Sequence, residues 1–175
     1  MSKYPDWFIG QDVDATTLDL MTENITVKPG STVRNNTTTL ADDPDLATIP
    51  LAVGTHWVRL TLLWCTNTSA TPDIKTRWAF TGTWNNPFRA CIGPAATNTA
   101  APDAVTPVKF NTVSAGSDCV YGSAATTAFS VAAEESFAVV VTVAGNLSLQ
   151  WAENALSATD ITVQPGSAFQ NRQIA

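Results

Sequence analysis

Apolar and polar residues alternate with a period of two along much of this chain. The clearest run covers residues 57–65, and a second covers residues 74–80. Two more follow at residues 137–143 and 147–151. Successive side chains of a strand point to opposite faces of a sheet, so these runs predict strands with one buried face. The Ala-Gly-Asn turn at residues 144–146 predicts that the last two runs form a β-hairpin.

Shorter runs predict further strands, with clusters of Gly, Pro, Asn and Asp between them. These weaker candidates lie at residues 37–41, 49–53, 105–110, 119–121 and 128–131. Many short strands separated by turn residues are typical of an antiparallel β-sandwich. The pattern therefore predicts an all-β, jelly-roll-like sandwich over residues 25–175, preceded by a short N-terminal arm at residues 1–24.

Only one segment favours a helix. Asp14 can cap a short helical turn carrying Leu18 and Met21, because its carboxylate can accept free backbone amides. By contrast, residues 83–107 contain several prolines and small residues. They predict a long loop between core strands, and loops on a rigid scaffold often carry binding residues.

A seven-residue pattern occurs twice. Residues 25–31 and 161–167 both read Ile-Thr-Val-x-Pro-Gly-Ser, and an Asn stands four positions after each copy, at Asn35 and Asn171. Pro-Gly favours a type II turn, so each copy predicts a strand, a tight turn and a return strand. Recurrent turn chemistry and a duplicated hairpin explain the repeat equally well.

Composition narrows the function classes. Charged residues make up 14% of the chain and the formal net charge is −6. Low charge excludes a charged helical bundle, and an acidic field repels phosphate, so we expect no nucleic-acid partner. The sequence lacks an apolar run of about 18 residues and a secretory pattern at its start. We therefore expect no membrane insertion, and synthesis and folding in a cytoplasm.

Residues able to do acid–base or metal chemistry are sparse. His56 is the only histidine, and its place near the start of a predicted strand favours a strand-edge role over catalysis. Asp42, Asp43 and Asp45 flank a proline, which is ordinary turn chemistry. The alternatives for these carboxylates are a calcium site, or glycoside hydrolysis with Asp118 as a further candidate. We expect no catalytic residue, no metal and no cofactor.

Two smaller groups have structural interpretations. Glu134 and Glu135 precede an apolar strand and are interpreted as solvated turn residues or edge protection. Cys65, Cys91 and Cys119 lack the spacing of a zinc or redox motif, so buried free thiols are favoured, with a disulfide between two of them as the alternative.

The tryptophans divide into core and candidate site residues. Three follow the apolar faces of their strands and predict core packing: Trp64, Trp78 and Trp151. Trp57 falls on the opposite face from its apolar neighbours. The candidate ligand or partner site lies in the predicted loop and comprises Trp84, Asn85, Asn86 and Arg89. An aromatic ring beside amides and Arg can stack on a sugar or anchor a protein partner, and a loop held by one large side chain is the alternative.

The N-terminal arm carries the second candidate site. Its apolar and aromatic residues are Tyr4, Trp7, Phe8 and Ile9. Apolar residues near a chain terminus are a liability unless a partner covers them. These residues therefore predict a docking arm.

Both ends of the chain resemble small virion proteins of tailed phages that infect actinobacteria. The resemblance rests on Tyr-Pro-Asp-Trp-Phe-Ile-Gly-Gln at residues 4–11, Asn-Thr-Thr-Thr-Leu-Ala-Asp-Asp at 36–43, and Leu-Ser-Leu-Gln-Trp-Ala at 147–152, continuing through 162–167 to Arg172 and Ala175. Residues 84–129 match less well. Those relatives look like β-sandwich tail-fibre or minor-tail modules, so the resemblance implies a non-enzymatic protein without a cofactor.

The resemblance also implies partners and a location. It points to a virion surface protein assembled in the host cytoplasm, and to a tail-tip or fibre module involved in host attachment. Its expected partners are further copies of itself as a homotrimer, other virion proteins of the tail or capsid, and a host envelope glycan. A capsid decoration protein that clamps major capsid subunits is the second hypothesis. A cell-wall polysaccharide hydrolase and a free-standing lectin are more distant alternatives.

Overall fold

The structure, a computed structural model, describes residues 23–67, 72–95 and 108–174. Within these ranges every regular element is a β-strand, and every strand pair is antiparallel. In chain order the strands are β1 (Asn24–Val27), β2 (Thr32–Arg34), β3 (Ala41–Asp42), β4 (Ile49–Leu51), β5 (Gly54–Thr66), β6 (Ile74–Phe80), β7 (Thr83–Trp84), β8 (Phe88–Pro94), β9 (Val108–Ser114), β10 (Cys119–Tyr121), β11 (Val131–Val143), β12 (Gly145–Glu153), β13 (Ile161–Val163) and β14 (Ala168–Gln173). The predicted helical turn at Asp14 lies outside the described residues.

The strands form two sheets that share one core. The larger sheet has the order β1-β14-β5-β11-β8-β9, with β13 on β5, β2 on β13 and β7 on β11. The smaller sheet has the order β10-β6-β12-β3, with β4 on β12. Buried apolar residues of both sheets belong to one cluster. The all-β prediction is confirmed, and the two facing layers give a sandwich-like fold.

The two longest strands, β5 and β11, form the centre of the larger sheet. They pair from Val131 opposite Trp64 to Val141 opposite Gly54. Each strand buries alternate side chains along most of its length, so the predicted period of two is confirmed here. Because both strands have neighbours on either side, their backbone groups are paired on both edges.

The core is built around the tryptophans predicted for it. Trp64, Trp78 and Trp151 are all fully buried. The Trp78 ring comes from the smaller sheet and lies 5.5 Å from the ring of Phe137 and 5.6 Å from that of Phe169, both in the larger sheet. Aromatic contacts at such centroid distances are favourable beyond the area they bury. These side chains therefore hold the two sheets together.

The predicted hairpin at residues 144–146 is wrong. β11 pairs only within the larger sheet, whereas β12 pairs with β3, β4 and β6 in the smaller one. Ala144 alone connects them, so the chain changes sheets at this residue. Both strands turn an apolar face to the same core. The alternation of apolar and polar residues is therefore the same whether two consecutive strands pair in one sheet or face each other from opposite sheets.

Two glycines make this change of sheet possible. The chain also passes from β6 to β7, and so between the sheets, at Thr81 and Gly82. The two crossings touch: a Cβ added to Gly145 would lie 2.6 Å from the Cα of Gly82, and one added to Gly82 would overlap the carbonyl of Val143. The Asn146 amide donates to Oγ1 of Thr81 at 2.8 Å. The corner closes only without side chains at these two positions.

Replacing Gly145 by Ala is therefore expected to lower the free energy of unfolding by about 2–3 kcal/mol, because the new methyl group must displace backbone. Chemical denaturation measures the change. Gly30→Ala is the matched control, because a Cβ at Gly30 meets no atom within 4 Å. Equal stability of the two variants would contradict the close crossing.

Several predicted boundaries need correction. The predicted loop at residues 83–107 contains β7 and β8, which both pair with β11. The inward positions of β8 are Arg89, Cys91 and Gly93. Because only one of them is apolar, the sequence does not show the alternation that predicts a strand. Residues 119–121 match β10, and residues 49–53 and 105–110 overlap β4 and β9. Most of residues 37–41 and 128–131 lies outside strands, since β3 and β11 begin at the last residue of each range.

The repeated sequence forms paired strands. β1 of the first copy pairs with β14, which follows the second copy, and β2 pairs with β13. β13 and β14 both pair with β5, one after the other along its length. Each copy therefore continues in one direction as a strand interrupted at Pro-Gly, and neither copy is a hairpin. The interruptions face each other, because the Lys28 amide donates to the Ser167 carbonyl at 2.8 Å. Gly166 has a φ of 84°, which suits position i+2 of a type II turn.

Candidate functional site

Trp84 and Asn85 from the predicted ligand site hold the chain in place. Trp84 is half-buried, and its ring stacks on that of Phe80 at 5.3 Å and meets the edge of Phe137 at 6.4 Å. The Asn85 backbone amide donates to the Val140 carbonyl at 3.1 Å, and its side-chain oxygen accepts from the Val140 amide at 3.2 Å. Trp84 therefore anchors this connection, which was the alternative interpretation of its role.

Asn86 and Arg89 do not complete a sugar-binding group either. Asn86, with a φ of 45°, accepts hydrogen bonds through Oδ1 from the Ser114 hydroxyl at 2.9 Å and the Gly116 amide at 3.1 Å. The Arg89 side chain is fully buried, 0% exposed. The prediction that Arg89 binds a ligand at the surface is therefore corrected, because its guanidinium points into the space between the sheets.

Arg89 instead belongs to a buried polar cluster. Its guanidinium forms an ion pair with Glu135, and neither side chain is exposed. The Glu135 carboxylate also accepts hydrogen bonds from the Thr76 hydroxyl at 2.6 Å, the Trp78 indole at 2.7 Å and the Tyr121 hydroxyl at 2.9 Å. A buried carboxylate with this many donors is fully satisfied. The interpretation of Glu135 as a solvated turn residue is wrong, because it lies in the middle of β11.

The charges of this cluster are fixed by its surroundings. Burial has the largest effect on the Arg89 guanidinium and by itself lowers its pKa, but the charge of Glu135 and smaller contributions from neighbouring groups together outweigh it, so the pKa of Arg89 is raised. Burial and then the charge of Glu135 raise the pKa of Tyr121 above its usual range. Tyr121 thus remains a protonated donor and Arg89 a cation. The cluster joins the sheets: Arg89 and Glu135 come from the larger sheet, Thr76 and Tyr121 from the smaller.

A second buried ion pair holds the Asp-Asp-Pro-Asp turn. Lys28 Nζ lies 2.9 Å from Asp43 Oδ1 and 2.7 Å from Asp45 Oδ2, and the Lys28 and Asp43 side chains are both fully buried. Asp43 also accepts hydrogen bonds from the Trp151 indole at 2.9 Å and from the backbone amide of Leu46 at 3.2 Å. The turn interpretation is confirmed for Asp43 and Asp45, whereas Asp42 is the last residue of β3. Lys28 is the cation that the sequence pattern did not identify.

The remaining candidate acids lie apart from this pair. Asp42 is exposed and accepts from Gln150, and Asp118 pairs with Arg77 at 2.7 Å. His56 is buried in β5, with Nε2 2.8 Å from the Ala52 carbonyl. In the described ranges, no group of three His, Cys, Asp or Glu side chains is placed to hold a metal ion.

The outer surface of the larger sheet carries an apolar face. Its members are large side chains that alternate outward on β5, β8, β9 and β11: Trp57, Phe88, Ile92, Val108, Phe110 and Val140. Ile92 stands directly opposite Phe110 across β8 and β9. Phe88 is 75% exposed and Phe110 71% exposed. A monomeric protein rarely leaves aromatic rings this open on one sheet face, so this face is the candidate docking surface.

The sequence contained a signal for this face. Phe88 and Ile92 alternate with the buried Arg89 and Cys91, which inverts the usual order of apolar-in and polar-out. The inversion is explained by Glu135, which neutralises Arg89 from the neighbouring strand. The N-terminal docking residues Tyr4, Trp7, Phe8 and Ile9 lie outside the described residues.

A shallow cleft of about 420 Å³ lies between β1, β4 and β14. Its polar lining residues are Asn24, Thr26, Thr48 and Asn171. The Oδ1 atom of Asn171 is buried and has no hydrogen-bond partner among the described residues.

The fold and these surfaces define an all-β, two-sheet protein stabilised by buried ion pairs, with one strongly apolar outer face. No family model matches the chain, and a search of curated proteins finds no match either. Among the described residues there is also no helix that is long and apolar enough to cross a membrane.

Proposed function

We propose that this chain is a non-enzymatic virion structural protein, a jelly-roll-like module that packs against further copies of itself through the apolar face. The single observation that carries the proposal is the exposure of Phe88 and Phe110 on one sheet surface. Burying apolar surface such as these rings contributes roughly 25 cal/mol of favourable free energy per Å². An oligomer gains this free energy, whereas a monomer does not.

A second copy of the chain suits the apolar face because of the charges around it. The chain carries a net charge of −6, so two copies repel each other unless they meet where charge is balanced. The charged pair on the apolar face, Arg59 and Glu134, is already neutralised at 2.9 Å. Interface centres are depleted of charge and enriched in aromatic residues. The number of copies, three, follows from the resemblance to phage tail-fibre and minor-tail proteins.

Within the virion, the resemblance favours a tail-tip or fibre module involved in host attachment, with Tyr4, Trp7, Phe8 and Ile9 docking on other tail proteins. The cleft suits a host envelope glycan, because its polar lining residues Asn24, Thr26 and Thr48 can exchange hydrogen bonds with sugar hydroxyls. A capsid decoration protein is the second candidate. The apolar face would then contact major capsid subunits in place of copies of this chain.

Sedimentation equilibrium of the Phe110→Asp variant tests the proposed packing. The wild-type chain is expected to sediment as an oligomer, and the variant's dissociation constant is expected to rise at least about 100-fold, as for an interface hot spot. Leu156→Asp is the matched control, because Leu156 is an exposed apolar residue in a turn outside the apolar face. A wild-type monomer, or a Phe110→Asp variant that assembles normally, would refute the packing.

A further inference from the structure

Cys91 and Cys119 face each other across the gap between the sheets. All three cysteines are free and buried, as predicted. Cys91 lies on β8 beside Glu135, and Cys119 lies on β10 beside Thr76. Since the Thr76 hydroxyl donates to the Glu135 carboxylate at 2.6 Å, the strand neighbours of the two cysteines are in contact. The two cysteines therefore lie at the same level on facing strands.

The two cysteines also influence each other's protonation. The neighbouring Cys91 lowers the pKa of Cys119 to about 6, and Cys119 in turn raises the pKa of Cys91. Burial and the charge of Glu135 act against the Cys119 thiolate, while the charge of Lys109 supports it. The lowered pKa favours the thiolate of Cys119, which is the nucleophilic form of cysteine.

We propose that Cys91 and Cys119 are a latent disulfide that closes when the protein meets a small-molecule disulfide such as oxidised glutathione. The Cys119 thiolate attacks one sulfur of the oxidant, which forms a mixed disulfide and releases one small thiolate. Cys91 then loses its proton and attacks the Cys119 sulfur, which releases the second small thiolate. Two protein thiols are oxidised, and one small disulfide is reduced to two thiols.

The position of β10 allows the oxidant to enter. β10 is a three-residue strand at the edge of the smaller sheet and pairs there only with β6, so the oxidant reaches Cys119 when β10 opens, at the cost of exposing Tyr121. When β10 closes again, the Gly122 amide donates to the Pro94 carbonyl at 3.1 Å and returns β10 to its place beside β8. Cys65 takes no part. It lies on β5 and points to the outer side of the larger sheet, where its sulfur accepts a hydrogen bond from the Gln164 side-chain amide at 3.1 Å.

The bridge would change the stability of the protein. It would join the two sheets covalently and restrict the unfolded chain. If the proposed virion role holds, the protein would fold with reduced thiols in the host cytoplasm and become locked outside the cell, where disulfides persist. The chemistry itself does not depend on that role and is tested on the isolated chain.

The experiment oxidises the full, reduced chain with glutathione disulfide at neutral pH and follows free thiols, intact mass and peptide links. We expect two of the three thiols to be lost, a Cys91–Cys119 peptide, no retained glutathione, and a Tm increase of about 5–10 °C. Cys65→Ala should behave like the wild type, and Cys91→Ala should stop at a glutathione adduct on Cys119.

Three results would overturn the proposal: a folded chain that keeps all three thiols, a bridge that includes Cys65, or a stable glutathione adduct on the wild type. The peptide map of the wild type decides among these even if Cys91→Ala fails to fold. Far-UV circular dichroism before and after oxidation verifies that the chain is folded throughout.

Discussion

Replacing Glu135 by Ala is expected to lower the free energy of unfolding by about 3–5 kcal/mol, the usual cost of removing one partner of a buried ion pair. The change leaves the Arg89 guanidinium without its counter-charge in a site with no exposure. It also leaves the donors of Thr76, Trp78 and Tyr121 without their acceptor. Urea denaturation followed by tryptophan fluorescence measures the loss, and destabilisation on this scale would identify the cluster as a main connection between the sheets.

The neighbouring residue provides the control. Glu134 pairs with Arg59, but both side chains are about half exposed. Exposed pairs contribute under about 1 kcal/mol, so Glu134→Ala should be nearly neutral. A double variant, Arg89→Met with Glu135→Leu, should recover part of the lost stability, because it removes both buried charges but leaves the donors of Thr76, Trp78 and Tyr121 without their acceptor. Equal effects of Glu134→Ala and Glu135→Ala would contradict the account.

The second large effect is expected at Asp43. Asp43→Ala should cost about 2–4 kcal/mol, because Lys28 loses its fully buried partner and the Trp151 indole loses its acceptor. The cost is smaller than at Glu135 because Asp45 still contacts Lys28. Thermal and urea unfolding measure it, and the predicted loss reflects a structural role for this carboxylate.

Asp42→Ala is the matched control for this prediction. Asp42 is adjacent in sequence but exposed, and its side chain accepts a hydrogen bond from Gln150. Its removal should change the stability by less than about 1 kcal/mol. If Asp43→Ala were as stable as Asp42→Ala, the Lys28 pair would have no part in holding the turn.

The sequence predicted those parts of the fold that depend on one strand at a time. β5 and β6 are predicted because apolar residues occupy most of their inward positions, and the core tryptophans follow the same phase. The Asp-Asp-Pro-Asp turn was recognised from its local chemistry. In each case the information lies within a few consecutive residues.

The parts that were missed depend on partners distant in the chain. Arg89 is buried because Glu135 neutralises it, and the two residues are 46 positions apart. When that pairing is not known, an inward Arg89 beside an outward Phe88 does not match the pattern of a strand, and the sequence predicts a loop. The apolar face, which depends on β8 being a strand, is then not predicted either. The sheet change at Ala144 was missed for a related reason, because alternation shows which face is buried but not which strand lies opposite.

The central claim is that this protein is displayed on a phage particle, and labelling of intact particles tests it most directly. Antibodies against the chain, carrying gold, would be bound to purified virions and viewed by electron microscopy. The account predicts label at the tail of each particle. Label over the whole head with none at the tail would replace the tail role by capsid decoration, and particles without label would contradict the claim.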